Sequence, residues 1–292
     1  MIANIEDLRN AVRTGFADIP FVTPFQFAAK RIQMPQTVDP YLYVVLDGVL
    51  RLYTPSGIMD YMPGQYSISR IDTPLSGTVL DFSDCRDFLA VSIEFMPSDV
   101  IQAVLGLDDS LTVRIMSEGL TEREMSASDR AVVQAVCRLF SVMEQGVPSE
   151  FIRKNAVQEM IYHALCGSSG RQFIQSIVNI QRVDEIYQAN SWIKENFREF
   201  FSVEELEEQQ NMSVSLFHQR FKSAVGMGPL QCQKRLRLTE ARRLMLDEGR
   251  NVTEASIEVG YESLSQFIRD YRKMFGAAPK EDVMRLRRRL KE

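Results

Sequence analysis

Histidine and cysteine are scarce in this chain, which limits the kinds of site that it can build. Its 292 residues include two histidines, His163 and His218, and four cysteines, Cys85, Cys137, Cys166 and Cys232. No two cysteines form a CxxC pair, so the sequence predicts neither a disulfide framework nor a zinc site. A barrel oxygenase would need a cluster of histidine and carboxylate ligands, and both histidines lie outside the strand-like region. We therefore predict no metal and no cofactor, and whether any cysteine has a sensing role stays open.

Long apolar runs and catalytic motifs are missing as well. No window approaches the roughly 18 consecutive apolar residues of a membrane span, and the first segment, MIANIEDLRNAVRTGF, lacks an apolar stretch of signal-peptide length. The chain has no GxSxG elbow, P-loop, HExxH, or GxGxxG after a strand, and isolated acids such as Asp81 and Glu94 are interpreted as turn or surface residues. We expect a cytoplasmic protein with no membrane partner, no enzyme activity and no catalytic residue.

What the chain does have is enough apolar residues for a large core and an uneven distribution of charge. Hydrophobic residues make up 45% of it, and its length suits about two domains. The formal net charge is -5, but residues 211–292 hold 17 Lys and Arg against 10 Asp and Glu, a balance of +7. Residues 1–210 therefore hold 17 against 29, a balance of -12. This asymmetry indicates a polyanionic partner for the C-terminal third.

Residues 1–96 predict a small β domain. An amphipathic helix in the first 20 residues is expected to end at Pro20 and Pro24, and short strand-like segments follow from Phe25 onwards. Segments 41–46 and 49–53 flank Asp47-Gly48, a strong hairpin signal, and further strands are predicted at 65–71, 77–82 and 88–93. This pattern favours a small barrel or sandwich whose interior could hold a small-molecule effector. No effector-binding residue is assigned, because the register of short strands does not follow from one sequence.

A helical segment is predicted at 97–166. It comprises one helix around Val100, a second at 131–143 and a third at 151–165, followed by a linker at 167–181. The second helix carries an apolar stripe formed by Val132, Val136, Leu139, Phe140 and Met143. This stripe could pack on the β domain or form a dimer interface, since both faces have the same pattern. We assign the segment to dimerisation and expect a homodimer.

The most informative feature is an internal repeat with a period of 50 residues. Each copy has a serine that can cap a helix, aromatic residues four apart on one helical face, a glycine that ends the helix, and a proline three residues later. The first copy consists of Ser213, Ser215, Phe217, Phe221, Lys222, Gly226 and Pro229; the second consists of Ser263, Ser265, Phe267, Tyr271, Arg272, Gly276 and Pro279. Each copy predicts one short amphipathic helix with a defined beginning and end.

Each repeated helix is preceded by a second short helix and a tight turn. These leading helices are predicted at 203–210 and 253–259, with turns at Asn211-Met212 and Gly260-Tyr261. Two short helices joined in this way form a helix-turn-helix. The segment 230–246 between the two units predicts a helix of about 25 Å. Such a helix could place the second helix of each unit in successive turns of the major groove, which lie about 34 Å apart.

These residues resemble a known family. The segments MSVSLFHQRFKSAVGMGPLQCQKRLRLTEARRLML and VTEASIEVGYESLSQFIRDYRKMFGAAP are similar to the double helix-turn-helix domain of AraC/XylS bacterial transcription regulators, and YLYVVLDGVL and YMPGQYSISRIDTPLSG resemble the cupin-like domain of one branch. The resemblance implies an α+β fold with an N-terminal cupin-like β-barrel and an all-α domain at 182–292. It also implies a regulator that binds double-stranded promoter DNA, with RNA polymerase as a further partner and activation favoured over repression.

The resemblance also implies which side chains contact DNA. Base contacts fall on Ser215 and Gln219 in the first unit and on Ser265 and Arg269 in the second, with His218 and Gln266 as flanking candidates. Arg269 could bond guanine through O6 and N7, and Gln219 could recognise adenine. Phosphate contacts fall one helical turn further on, at Lys222, Arg272 and Lys273.

The first unit departs from the family pattern in two places. Its leading helix, VEELEEQQ, crowds four glutamates between residues 204 and 208, where acids oppose phosphate binding, and Cys232 stands where the family usually has a buried aromatic. We therefore expect the second unit to contribute more sequence discrimination. The alternative function is a protein-interaction co-regulator with weak or no direct DNA recognition. A barrel enzyme fused to a DNA-binding tail is disfavoured by the missing metal ligands.

Overall fold

The chain divides into two compact units. The computed structural model describes residues 2–16, 19, 21–35, 39–54, 57–68, 74, 76–82, 87–107, 127–144, 150–167, 170, 173–174, 184–208 and 213–289. The first unit comprises Met1–Leu52 and Met59–Arg182, and the second comprises Tyr53–Ile58 and Val183–Glu292. The first contains sheets and helices, and the described residues from 184 onwards form helices and the segments that connect them, so the fold is of the mixed α+β kind that the sequence predicts. In the described ranges, no helix is long and apolar enough to cross a membrane.

The described strands form two four-stranded antiparallel sheets. They are β1 (Val22–Phe27), β2 (Arg31–Gln33), β3 (Tyr41–Asp47), β4 (Val49–Thr54), β5 (Gly57–Tyr61), β6 (Tyr66–Ile68), β7 (Ser76–Asp81) and β8 (Phe88–Glu94). One sheet has the order β1-β8-β3-β6 and the other the order β2-β7-β4-β5. Among these strands no hydrogen-bonded ladder joins the two sheets, so the closed barrel predicted from the sequence is not formed by the described residues. The sheets instead share an apolar core that includes Tyr43, Leu50, Val79 and Phe88.

The hairpin predicted at Asp47-Gly48 is wrong in its pairing. Both strands exist, but β3 pairs with β8 and β6, whereas β4 lies in the other sheet between β7 and β5. Gly48 has a φ of 81°, and the strand register shifts on each side of it, between Val45 and Asp47 and between Val49 and Leu50. Irregular pairing next to a turn with positive φ bends the chain and lets it leave one sheet for the other. The turn residues were interpreted correctly, and the strand partners were not.

Strand β1 begins earlier than the sequence indicates, and it contains Pro24. In its sheet β1 pairs only with β8, so the missing amide hydrogen of Pro24, whose register partner is Val91, can be tolerated. Proline in an edge strand does not interrupt the ladder on its paired side. The sequence pattern did not predict the short strands β2 and β5 either.

The helices of the first unit are α1 (Ile5–Thr14), α2 (Pro97–Leu105), α3 (Ala127–Glu144) and α4 (Glu150–Cys166). In α3, Val132, Val136, Leu139 and Phe140 are buried in the same core as residues of β3 and β8, and Met143 packs against that core. The apolar stripe therefore packs inside the unit, which is the first of the two alternatives left open by the sequence.

The helices of the second unit are α5 (Asp184–Asn196), α6 (Val203–Glu208), α7 (Val214–Val225), α8 (Pro229–Asp247), α9 (Val252–Glu258), α10 (Leu264–Phe275) and α11 (Pro279–Arg289). Helix α8 has 19 residues and is therefore about 28 Å long. Helices α6 with α7 and α9 with α10 form the two helix-turn-helix units, and α8 connects them. The predicted turn at Asn211-Met212 lies outside the described residues.

Candidate nucleic-acid interface

The two repeated helices, α7 and α10, end in the same way. Gly226 and Gly276 have φ values of 80° and 76°, and their amides donate to the carbonyl oxygens of Lys222 and Arg272, both at 2.9 Å. Glycine adopts this left-handed conformation without steric cost, and it stops each helix at the predicted residue. Each of the next helices, α8 and α11, then begins at a proline, where the missing amide hydrogen costs nothing.

The helix starts differ between the copies. Ser263 lies at the N-cap of α10, and its hydroxyl accepts a hydrogen bond from the amide of Gln266 at 3.4 Å. Ser213 lies at the N-cap of α7 with the same extended backbone, but its side chain makes no capping hydrogen bond. The predicted serine cap is therefore confirmed in the second copy only.

The turn of the second helix-turn-helix requires glycine for two reasons. Gly260 has a φ of 85°, and a Cβ atom added to it would lie 2.1 Å from the carbonyl oxygen of Arg198. The left-handed turn predicted from the sequence is confirmed, and the close approach is a second constraint that only the packing reveals. The turn is thus pressed against the segment that follows α5.

The aromatic residues of the repeat point inward, as the sequence predicts. Phe217, Phe221, Phe267 and Tyr271 are all fully buried. The ring centroids of the first pair lie 5.7 Å apart and those of the second pair 5.6 Å apart. These rings form the core of each unit, and they leave the opposite faces of α7 and α10 free for a ligand.

All nine side chains assigned to DNA contact lie on exposed positions. They are Ser215, His218, Gln219 and Lys222 on α7 and Ser265, Gln266, Arg269, Arg272 and Lys273 on α10. An α-helix turns about 100° per residue, so Gln219 points about 160° away from both Phe217 and Phe221, and Arg269 has the same relation to Phe267 and Tyr271. Within the described part of the chain, none of the nine side chains forms an ion pair or a hydrogen bond.

His218 occupies the edge of this surface. It lies about 60° around the helix from the buried Phe221. Its ring is also close to the turn after α7, since a Cβ atom added to Gly228 would lie 3.3 Å from His218 Cε1. The side chain therefore borders the exposed face, whereas Ser215 and Gln219 lie near its centre.

Leu216 also lies on the exposed face of α7, and no DNA contact was predicted for it from the sequence. This residue is 39% exposed and lies beside Gln219, about 60° around the helix from it, on the outward side of α7. The 50-residue repeat was the signal that could have found it, because Leu216 corresponds to Gln266, which was assigned to base contact.

The basic residues of α8 are engaged inside the unit. Arg242 and Arg243 form bidentate hydrogen bonds with Asp282 and Glu240, and Lys234 forms an ion pair with Asp270 at 3.1 Å. Their charges therefore neutralise acids of the same unit. The excess positive charge that remains without such a partner in the described structure includes Lys222, Arg269, Arg272 and Lys273, all on α7 and α10.

Arg237 of α8 joins three parts of the second unit. Its guanidinium donates to the carbonyl oxygens of Phe197 at 2.6 Å, Glu199 at 2.9 Å and Gly260 at 2.7 Å. Gln233, one turn earlier, donates to the carbonyl oxygen of Glu199 at 2.7 Å. These hydrogen bonds tie the segment after α5 to α8 and to the turn of the second helix-turn-helix, and so restrict the geometry between the two recognition helices.

Asp282 of α11 organises the interior beside α10. It is fully buried and accepts hydrogen bonds from Arg242 at 2.8 and 2.9 Å, from the hydroxyl of Tyr271 at 3.0 Å and from Arg285 at 2.8 Å. Burial raises the pKa of Tyr271 well above its ordinary value, and the nearby Asp282 charge adds to the effect, so this hydroxyl stays a donor. The carboxylate therefore holds α8, α10 and α11 together.

The described cysteines are buried or partly buried. Burial raises the pKa of the Cys137 thiol to about 11, with Asp7 adding to the effect, so few of these thiols ionise at neutral pH. Cys232 is buried, with Sγ 3.6 Å from Asn190 Oδ1, and Cys166 is partly buried. Cys85 lies outside the described residues.

Comparison with known proteins decides the family. A model of the AraC-type transcriptional regulator N-terminus matches residues 18–172, more than half of the chain, and a helix-turn-helix domain model matches residues 206–285. The chain belongs to the AraC family. It is therefore a DNA-binding transcription regulator, and the double helix-turn-helix described above is its DNA-binding part.

Relatives of this AraC-family chain include transcriptional activators. The virulence regulon transcriptional activator VirF of Yersinia enterocolitica is 20% identical over 189 residues, covering 64% of this chain and 69% of VirF. The HTH-type transcriptional activator RhaS of Yersinia pestis bv. Antiqua (strain Angola) is 21% identical over 200 residues, covering 68% of this chain and 72% of RhaS.

Two solved structures are similar to parts of the AraC-family chain. The DNA-binding domain of AdpA in complex with a target DNA is 29% identical, with a TM-score of 0.35, and the match covers 36% of this chain and 96% of that domain. ToxT from Vibrio cholerae is 12% identical, with a TM-score of 0.43, and the match covers 90% of this chain and 97% of ToxT.

Proposed function

We propose that this regulator recognises specific promoter DNA by placing α7 and α10 in the major groove. The observation that carries the proposal is the division of the basic residues within one unit. Three α8 cations, Lys234, Arg242 and Arg243, pair with acids of the unit. Lys222, Arg269, Arg272 and Lys273 are exposed on the two recognition helices and have no such partner among the described residues. Charges that are not already neutralised are the ones that can replace counterions on DNA.

The nine exposed side chains divide into two roles by their chemistry. Arg269 bonds guanine at O6 and N7, and Gln219 and Gln266 have the amide geometry that suits adenine. Ser215 and Ser265 make single hydrogen bonds to base edges, and His218 contacts the edge of the site. Lys222, Arg272 and Lys273 bind phosphates, and they set affinity and salt dependence but not sequence.

The test uses the full chain and a site selected from random duplex DNA. Arg269→Ala is expected to weaken binding by about 1–3 kcal/mol and to relax the preference at one base pair. Arg272→Ala is expected to weaken binding to all sequences and to lower the slope of log K against log salt by about one.

Arg250→Ala is the matched control for Arg272→Ala. Arg250 is 48% exposed in its side chain but pairs with Glu258 at 3.5 Å, so its removal should leave the salt slope almost unchanged. Weak binding without sequence preference would contradict the proposal and favour the alternative of a protein-interaction co-regulator.

We infer further that residues 1–96 form a cupin-like sensor for a small molecule with an apolar body and a hydrogen-bonding group. Two hydroxyls support this inference. Tyr43 and Ser92 are register partners on β3 and β8, both are buried, and neither hydroxyl has a hydrogen-bond partner among the described residues. Both side chains face the apolar core between the sheets, because Tyr43 belongs to that core and Ser92 lies on the same face of β8 as Phe88 and Ala90.

A polar group of a ligand would satisfy these hydroxyls, since buried hydroxyls without partners are unfavourable. Small molecules are screened for those that raise the thermal unfolding midpoint of the full chain. The Tyr43→Phe variant should show a smaller rise in this midpoint with the same ligand. An equal shift for Tyr43→Phe would place the ligand elsewhere.

The chain is also proposed to act as a cytoplasmic homodimer that activates transcription through RNA polymerase. With the α3 stripe buried, the segment 97–166 still offers Phe151 and Tyr162, which lie three turns apart on one face of α4 and are 73% and 45% exposed. The Phe151→Asp variant should show a smaller fraction of dimer in analytical ultracentrifugation. Transcription activation is tested separately, with a reporter gene fused to the promoter. A monomeric wild-type chain would contradict the dimer.

A further inference from the structure

Helix α7 exposes an apolar side chain within its polar face. Leu216 is 39% exposed, and its neighbours on that face, Ser215 and Gln219, are exposed as well. Exposed leucines are common on protein surfaces, so exposure alone indicates nothing. The position of this leucine is what matters.

The helical geometry places Leu216 on the side that faces away from the protein. At about 100° per residue it lies about 60° from Gln219, and it lies about 100° and 140° from the buried Phe217 and Phe221. His218, by contrast, is about 60° from Phe221 and borders Gly228. Ser215, Leu216 and Gln219 therefore form the outward arc of α7, near its N-terminal end, which is the end of a recognition helix that contacts base edges.

The repeat gives an independent reason. Leu216 corresponds to Gln266, which is exposed at the same place on α10 and is proposed above to contact a base. Glutamine at this place can form hydrogen bonds, and leucine cannot. The apolar group that B-DNA presents among the base edges of the major groove is the C5 methyl of thymine, so an apolar residue on this arc has a defined target.

We propose that Leu216 recognises thymine in the part of the site bound by the first helix-turn-helix, by packing against the C5 methyl group. This inference rests on the proposed DNA recognition by α7. In this proposal the first unit recognises a thymine methyl group through an apolar contact from Leu216. The second unit recognises its bases through hydrogen bonds from Gln266 and Arg269.

The experiment removes the methyl group from the DNA and the side chain from the protein. In the selected site, each thymine is replaced in turn by deoxyuridine, which lacks only that methyl, and binding of the full chain is measured. One replacement should weaken wild-type binding about fourfold, the effect of losing one buried methyl. Leu216→Ala should bind the thymine and deoxyuridine sites equally, and Leu216→Gln should shift the preference at that position towards adenine.

Val214→Ala is the matched control, since Val214 is 40% exposed on the same helix but lies on the side of Phe217. It should keep the discrimination between thymine and deoxyuridine. Equal sensitivity of wild type and Leu216→Ala to every replacement would overturn the inference while leaving the proposed function intact. If no sequence can be selected at all, the proposed function fails, and the inference with it.

Discussion

The two helix-turn-helix units have the same arrangement of helices and turns. They differ in the residues on the buried side and on the exposed side of their recognition helices. Behind α10, the buried Asp282 accepts four hydrogen bonds, one of them from Tyr271. Fifty residues earlier, the same two places hold Cys232 and Phe221, both buried. The first unit therefore lacks both the acid and the hydroxyl of this network.

The outward faces differ in the same direction. The second unit offers Arg269, Arg272 and Lys273, whereas the first offers Lys222 at the place of Arg272 and the uncharged Gln219 at the place of Arg269. The starts of the two leading helices do not follow this trend, because Asn251 and Glu254 form a reciprocal capping box at α9 that the first unit shares. The leading helix of the first unit is capped in the same manner by Ser202 and Glu205. One of its crowded glutamates thus has a structural role.

The comparison shows that one repeat can preserve a fold and diverge in chemistry. Fold positions, such as the glycine stops and the buried aromatics, are shared by both copies. The buried polar network behind the recognition helix, and a positive charge at the centre of its exposed face, are found only in the second copy among the described residues. We therefore expect the second unit to dominate both stability and sequence discrimination.

The largest expected effect comes from breaking the buried network. Asp282→Ala should lower the free energy of unfolding of the C-terminal transition by about 3–5 kcal/mol, because it leaves Arg242 and Tyr271 buried without their acceptor. Cys232→Ala, at the equivalent place in the first unit, should cost about 1–2 kcal/mol, since a small apolar side chain is removed. Urea denaturation of the full chain measures both values, and losses of similar size would remove this difference between the units.

An intermediate effect is expected on DNA binding. Arg269→Ala should cost about 1–3 kcal/mol of binding free energy, because a bidentate contact to guanine is lost. Gln219→Ala should cost less, since an uncharged amide forms weaker hydrogen bonds. Titration of each variant against the selected site gives both numbers. A greater loss for Gln219→Ala would reverse the proposed order of the units.

The smallest effect concerns the helix caps. Ser263→Ala should destabilise the C-terminal transition by about 0.5–1 kcal/mol, because the hydroxyl bond to the amide of Gln266 disappears. Ser213→Ala should change it by only a few tenths of a kcal/mol, since that hydroxyl makes no capping bond. Thermal melting distinguishes the two, and equal losses would mean that Ser213 also caps its helix in solution.

Much of the second unit followed from the sequence, and less of the first. Helices α8, α9 and α10 were predicted to within about one residue at each end, because their signals are local: a cap, a stop glycine and apolar residues at helical spacing. The strand pairing around Gly48 was not predicted, because a turn residue specifies the local bend but not the partner of the next strand. The edge strand with Pro24 was missed for a related reason, since only the sheet order makes a proline acceptable there.

The candidate interface shows the same division. The nine assigned side chains follow from the repeat and from the family resemblance, and all lie on exposed positions. Their relative placement, with Gln219 central, His218 at the edge and Leu216 on the outward arc, required the helix geometry and the burial of Phe217 and Phe221. The ion pairs of the α8 cations could not be predicted from the sequence either. There, Lys234 and Arg242 are positive charges with no indicated partner.

The sequence by itself determined that this protein carries two copies of a DNA-binding unit, because caps, stops and helical periodicity act over a few residues. Only the tertiary structure decided which strands pair, whether the α3 stripe is buried, and which cations remain available to DNA. These depend on contacts between residues far apart in the chain, such as Arg237 with the carbonyl of Gly260 and Arg242 with Asp282. Burial and charge pairing are properties of such contacts, and a linear pattern does not contain them.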